Sequence, residues 1–217
     1  MEKLLLLSAM AIVAASCGQK NKAHISGTFS GINKDTIYLE MITTKGVSVV
    51  DSTVTNQHGN YSFTVTPEDA SPTFYNLVYK QSRIPLIASP EEKIEINSLC
   101  DLRHNYTVEG SEESKLLKEF NTLYTTGISA LDSLGNLYAE TAPDSDARRE
   151  ALLQEYTQHY VKIKREHIAF LVKHAGTMTA VYALYQRLPN DEALFDANDS
   201  RIYYRMVADS VSKKYPA

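Results

Sequence analysis

Tryptophan is absent from this chain of 217 residues, and cysteine occurs only twice, at Cys17 and Cys100. No Cys-x-x-Cys is present, so the chain cannot run a two-cysteine redox cycle by itself. Charge of one sign is also scarce: 22 Lys and Arg stand against 26 Asp and Glu, a formal net charge of -4, and no basic stripe recurs. That balance argues against a nucleic-acid partner. After the first 15 residues no apolar stretch approaches the roughly 20 residues that a membrane-spanning helix needs. No P-loop or dinucleotide fingerprint occurs, and no cofactor is expected. Tyrosine is the one abundant aromatic, with 14 copies, which suits half-buried strand and helix faces.

What the chain does have begins at its amino terminus. Lys3 precedes an apolar run from Leu4 to Ala15, followed by Ala14-Ala15-Ser16-Cys17-Gly18. A cationic start, a short apolar core and small residues before a cleavage point make a secretory signal. The segment resembles the lipobox of bacterial lipoproteins, with Ala14 where Leu is commonest. That resemblance implies cleavage before Cys17 and acylation of its thiol. Residues 1–16 then read as signal peptide and 17–22 as tether. Each buried acyl methylene contributes ~0.8 kcal/mol, so two or three chains hold where one does not. The expected location is the cell envelope, lipid-anchored at the outer membrane and facing the periplasm. Five residues, Gly18 to Lys22, reach about 18 Å at most, which would bring Lys20 and Lys22 near anionic headgroups. With Cys17 acylated, Cys100 has no partner in the chain for a disulfide.

Residues 23–110 read as an all-β domain. Runs rich in Val, Ile, Thr, Tyr and Phe recur at His24–Phe29, Thr36–Met41, Val47–Thr55, Tyr61–Thr66, Thr73–Tyr79, Ile84–Ala88, Lys93–Asn97 and Asn105–Val108. Strict alternation in Tyr61-Ser62-Phe63-Thr64-Val65 and Ile94-Glu95-Ile96 predicts one buried and one wet face. Asn56-Gln57-His58-Gly59-Asn60 reads as a hairpin loop with positive φ at Gly59. The pattern predicts an antiparallel β-sandwich or a partly open barrel.

Residues 111–217 read as helical, making the whole α+β. Leu117, Phe120, Leu123 or Tyr124, Gly127, Leu131, Leu134 and Tyr138 keep 3–4 spacing behind Ser111 as N-cap, with Glu112 and Glu113 at the positive end of the dipole. Pro143 is placed in the first turn of a second long helix. That helix carries Leu152 or Leu153, Tyr156, Tyr160, Ile163, His167, Phe170 and Leu171, and Gly176 is expected to cap it. The two form an antiparallel helical hairpin. Smaller helices are expected over Thr177–Arg187, Glu192–Ala197 and Asp199–Lys213.

Ile25-Ser26-Gly27-Thr28-Phe29, Ile37-Tyr38-Leu39, Val50-Asp51-Ser52-Thr53-Val54 and Gly59-Asn60-Tyr61-Ser62-Phe63 together resemble the domain-of-unknown-function 4369 family. Pro90-Glu91-Glu92-Lys93-Ile94-Glu95-Ile96 is similar to its Pro-Gly-Asp strand entry, with Glu91 in place of Gly. Val108-Glu109-Gly110-Ser111 looks like its sheet-to-helix junction. The resemblance implies a lipoprotein signal, an all-β domain and a helical segment. Most relatives of this architecture add a thioredoxin-like domain with a Cys-x-x-Cys site and act as envelope thiol–disulfide oxidoreductases. This chain reads as the accessory portion without that domain, and a thioredoxin-like envelope protein is an implied partner.

Catalytic candidates are weak. Cys100, Asp101 and His104 hold the residue types of a Cys–His nucleophile pair, but an incidental thiol explains them. His167 and His174 lie seven apart on one helix, about 10 Å by helical rise, and Glu166-His167 is not a zinc motif. Boundary or solvated histidines, His159 included, are expected there, and no metal. Asp191, Glu192, Asp196 and Asp199 lack a calcium-loop pattern and read as helix-start carboxylates. Asp35-Thr36-Ile37, Asp51-Ser52-Thr53, Asp132-Ser133-Leu134 and Asp209-Ser210-Val211 look like envelope O-glycosylation triplets. The expected function is a non-catalytic, membrane-anchored accessory, binding or scaffold module. The alternative is the accessory portion of a thiol–disulfide oxidoreductase system.

Overall fold

The structure is a computed structural model and describes residues 21–67, 71–99, 105–190, 192–196 and 200–216. Eight strands come first: β1 (Ala23–Ser30), β2 (Thr36–Thr43), β3 (Gly46–Val54), β4 (Asn60–Val65), β5 (Thr73–Tyr79), β6 (Ser82–Ala88), β7 (Lys93–Leu99) and β8 (Tyr106–Glu109). They form two four-stranded sheets, ordered β4-β1-β7-β8 and β3-β2-β5-β6. Alternation dictates the layering. In β4, Tyr61, Phe63 and Val65 are buried while Ser62 and Thr64 face water, and Ile94 and Ile96 do the same in β7. These side chains meet Leu39, Tyr75, Leu77, Ile84 and Leu86 of the opposite sheet in one apolar core. Of the two architectures the sequence allows, the sandwich is the one formed.

Two details depart from the sequence reading. First, β1 and β7 pair in parallel, His24 beside Lys93 and Ile25 beside Ile94, although every other pair is antiparallel. Second, Asn56–Asn60 does not close a hairpin. It carries the chain from β3 in one sheet to β4 in the other. The local turn chemistry is nevertheless as expected: Asn56 Oδ1 accepts from His58 N (2.8 Å) and Asn60 N (3.0 Å), and Gly59 has φ +80°. Glu91 sits at φ +67°, a region where glycine is at ease and other residues are strained, which accounts for Gly in the related strand entry.

Four helices follow: α1 (Glu112–Glu140), α2 (Asp146–His174), α3 (Met178–Leu184) and α4 (Arg201–Lys214). Ser111 caps α1 as expected, its side chain accepting from Ser114 N. α1 and α2 pack as an antiparallel pair and, with α3 and α4, enclose a second apolar core around Phe120, Leu131, Ile163, Leu171, Leu184, Phe195 and Val207. α1 has no basic residue in its last turn. Arg149 of α2 supplies that charge, donating to the Thr141 carbonyl (3.1 Å) and stacking 4.0 Å above the Tyr138 ring.

Three expectations are corrected here. Pro143 lies in the turn before α2, whose N-cap position is Ser145. The cap of α2 is Ala175, in right-handed helical conformation, and not Gly176. Thr177 ends one helix and starts the next, donating to His174 O (2.8 Å) and accepting from Ala180 N (3.1 Å). Residues 192–196 are not helical. Leu188 N donates to Glu192 O and Leu194 N to Gln186 O, a bridge that turns Leu194 and Phe195 into the core.

Candidate functional site

One side of the sandwich is built over. β6 and β8 are edge strands of opposite sheets, and α1 packs against both. The helix can start there because Gly110 takes φ +81°, with its α-carbon so close to β7 that an added Cβ would lie 1.8 Å from Lys93 O. Ser114 then pairs with the edge of β6 as a strand would: its hydroxyl accepts from Ile87 N (2.9 Å) and donates to Ile87 O (2.7 Å). Glu113 points the other way. Its carboxylate accepts from Met178 N (3.2 Å) and Thr179 N (3.1 Å) at the start of α3, and Lys214 Nζ lies 3.6 Å off. Alongside, Glu92 accepts from Ser89 N (2.9 Å), and burial raises its carboxyl above the usual range.

The opposite side is open. β3 is the edge of its sheet, and every residue of it except Thr53 is exposed. Val47, Val49 and Val54 are 57%, 60% and 63% exposed, large values for aliphatic side chains in a strand. A bulge between Leu39 and Glu40 leaves Val50 as the extra residue of β3. Between β3 and β4 a cleft of about 340 Å³ opens toward the core, lined by Met41, Val50, Asp51, Thr64, Val65 and Tyr75. Across the outer face of this sheet exposure grades from one edge to the other. Ile87 is fully buried and Phe74 stacks on Tyr182 of α3 (6.4 Å). Mid-sheet, Arg83 donates twice to Glu40 (3.0 and 3.2 Å) and Asn76 once (3.2 Å), the arginine above all holding that carboxyl below the usual range. Beyond it the β3 valines are bare.

The residues singled out by sequence fall variously. Cys17 and Lys20 lie outside the described residues, as do Cys100, Asp101, His104, Asp191 and Asp199. Lys22 is exposed, and its carbonyl accepts from Glu91 N (2.9 Å), so the tether enters at the β6–β7 turn. Among the described residues no cluster of His, Cys, Asp or Glu could hold a metal. His159 and His174 are boundary residues, but His167 is fully buried, a correction. Its Nδ1 lies 2.8 Å from Ile163 O and its ring stands edge-on to Phe120, while Nε2 has no partner. Burial depresses its pKa. His174, lowered chiefly by burial too, lines an open groove of about 410 Å³ between α1 and α2 with Glu119, Glu166, Phe170 and Lys173.

Glu192 and Asp196 are exposed, and neither starts a helix. Of the acceptor triplets, Ser52 and Ser133 are exposed, whereas Thr36 and Ser210 are half-buried. Chemically, the buried hydroxyls of Ser111, Ser114 and Thr179 are committed to backbone or carboxylate partners. Sequence reasoning missed the free edge of β3 because strand position in a sheet has no local signature. It missed Glu113 as a cross-link because a first-turn carboxylate already has a reason to be there.

No curated protein matches the chain. Residues 23–117 match the family described as Domain of unknown function (DUF4369). That span starts with the first residue of β1 and ends at Leu117, so it takes in Gly110, Ser111 and Ser114 together with all eight strands. The part of the chain that is similar to the DUF4369 family is thus its β-sandwich together with the helical turns that close one side of it.

Proposed function

We propose that this chain is a non-catalytic, lipid-anchored envelope protein whose sandwich and helices act as an accessory or binding module. The observation that carries this reading is the lipobox-like Ala14-Ala15-Ser16-Cys17-Gly18 placed just ahead of the first strand, which begins at Ala23. Lys22 is fixed by its backbone bond to Glu91, so an acyl group on Cys17 would hold the β6–β7 end of the sandwich against the bilayer. A palmitate-type anchor on that thiol, at the outer membrane and facing the periplasm, is part of this proposal, and the side is argued from the lack of an acidic run just after Cys17. In support of a non-catalytic role, the buried polar groups of the sandwich–helix junction serve to join elements.

The test is metabolic labelling with a fatty acid. Label is expected on the parent chain and lost from Cys17→Ser, and undiminished label on the variant refutes attachment there. The resemblance of the β-region to the amino-terminal part of thioredoxin-like lipoproteins favours one second reading, an accessory to a thiol–disulfide system. Co-purification of a protein with a Cys-x-x-Cys site from solubilised envelopes would support it.

A further inference from the structure

The outer face of sheet β3-β2-β5-β6 changes character along its strands. The row nearest one end runs Val47–Ile42–Phe74–Ile87, side by side across the four strands. The next row is Val49–Glu40–Asn76–Pro85, where the polar contacts of Glu40 with Asn76 and Arg83 begin. Helices cover half of the first row, α1 at Ile87 and α3 at Phe74. Ile42 is only half-buried and Val47 is exposed.

That apolar end is also where the chain enters. β6 stops at Ala88, one residue past Ile87, and the turn that follows holds Lys22 through Glu91 N. Thr43 and Gly46 pair at the same end, closing the β2–β3 turn. Stacked sheets lie about 10 Å apart and neighbouring strands about 4.8 Å. A tether of about 18 Å from Cys17 to Lys22 would therefore keep this turn beside the bilayer.

We infer that the β2–β3 turn and Val47 rest in the headgroup layer of the bilayer that holds Cys17, with Val49 just above them. Exposed aliphatic side chains gain by leaving water. The unpaired backbone groups of the β3 edge keep water partners at headgroup depth, which the hydrocarbon interior would deny them. Lys45, exposed in the turn, can hold its ammonium at phosphate level. Lys22 and Lys93 are exposed at this end, but so are Glu91, Glu109 and Glu112. The apolar row therefore sets the contact, and a zwitterionic bilayer suffices. Val54, equally bare, pairs with Thr36 at the far end of β3, away from the tether.

This contact rests on the anchoring reading, and the test separates the two. The chain has no tryptophan, so Val47→Trp, Val49→Trp and Val54→Trp each place a single one at an exposed position. Each acylated chain, purified from envelopes, is reconstituted in phosphatidylcholine vesicles with or without brominated acyl chains. Quenching should fall from Val47→Trp through Val49→Trp to Val54→Trp. The first should be quenched about threefold more than the last, which lies roughly 23 Å along the strand at 3.3 Å per residue. Adding Val47→Asp to Val49→Trp should lower its quenching to the level of Val54→Trp. Unchanged urea midpoints check folding. Equal quenching at the three positions, in chains that carry acyl mass and float with the vesicles, overturns the contact and leaves the anchor standing. Chains without acyl mass that do not float overturn both. A blue-shifted Val47→Trp that brominated lipid leaves unquenched is covered by protein, which overturns the contact equally.

Discussion

β6 and β3 are the two edges of one sheet, and they solve the same problem in opposite ways. Beyond β6, Ser114 meets both polar groups of Ile87, and the residue is fully buried. Beyond β3, nothing within the described residues covers Val47 or Val49. The difference lies in the route the chain takes on leaving each strand. β6 leads by way of β7 and β8 to Gly110, whose left-handed backbone turns the chain onto α1 and returns it against the same edge. β3 leads through Asn56–Asn60 into the other sheet and gains no such cover. An edge strand is defined by the topology around it, and equal β-propensity leads to unequal exposure.

The sharpest way to break the covered edge is at its hinge. Gly110→Ala would force an L side chain into φ +81° with its Cβ 1.8 Å from the Lys93 carbonyl oxygen. The backbone strain alone is worth about 1–3 kcal/mol, and relieving the overlap must also displace α1. Urea denaturation should show a loss at or beyond the upper end of that range. Ser114→Ala is gentler. It leaves the Ile87 amide buried without a partner, for about 1–3 kcal/mol, and hydrogen exchange should rise at Ile87 before it rises in β3.

Acid should act on the covered side as well. His167 is neutral in the folded chain because burial depresses its pKa below the ordinary 6.5. The unfolded chain takes up a proton near that ordinary value, so it binds more protons as the pH falls, and stability falls with it. Loss should begin below about pH 6.5 and appear first in exchange from α1 and α2. His167→Phe should flatten that part of the pH profile. The smallest effect belongs to the bare edge. Val49→Thr removes little buried area and should change the unfolding free energy by less than about 0.5 kcal/mol.

Much of this contrast is readable from residues, within limits that have physical causes. The alternation of Tyr61 to Val65 is legible because one face meets a core and the other meets water. Ser111 is legible because a cap is a local hydrogen bond, and it accepts from Ser114 N as read. The crossing at Asn56–Asn60 is not legible, since an Asn-Gly turn looks the same whether the chain stays in its sheet or leaves it. The parallel pairing of β1 with β7 is equally hidden, because a period of two carries no direction. His167 reads as a boundary residue beside Glu166. It is buried because Phe120 and Tyr124 of another helix close over it, a tertiary event. Phe195 is drawn in by the Arg187–Ala193 bridge, where acidic neighbours suggest a helix start.

The parallel β1–β7 pair has one more outcome, concerning distance. It puts the first residue of β1 and the last of β8 at the same end of the sandwich, with His24 beside Lys93 and Glu95 beside Glu109. α1 therefore departs from beside the chain's own entry point and travels the other way, with Lys118 already over Tyr106. Its 29 residues extend roughly 43 Å at 1.5 Å each, longer than the strands it passes. The bend that Arg149 and Tyr138 brace is thereby carried away from the end of the sandwich at which the chain enters.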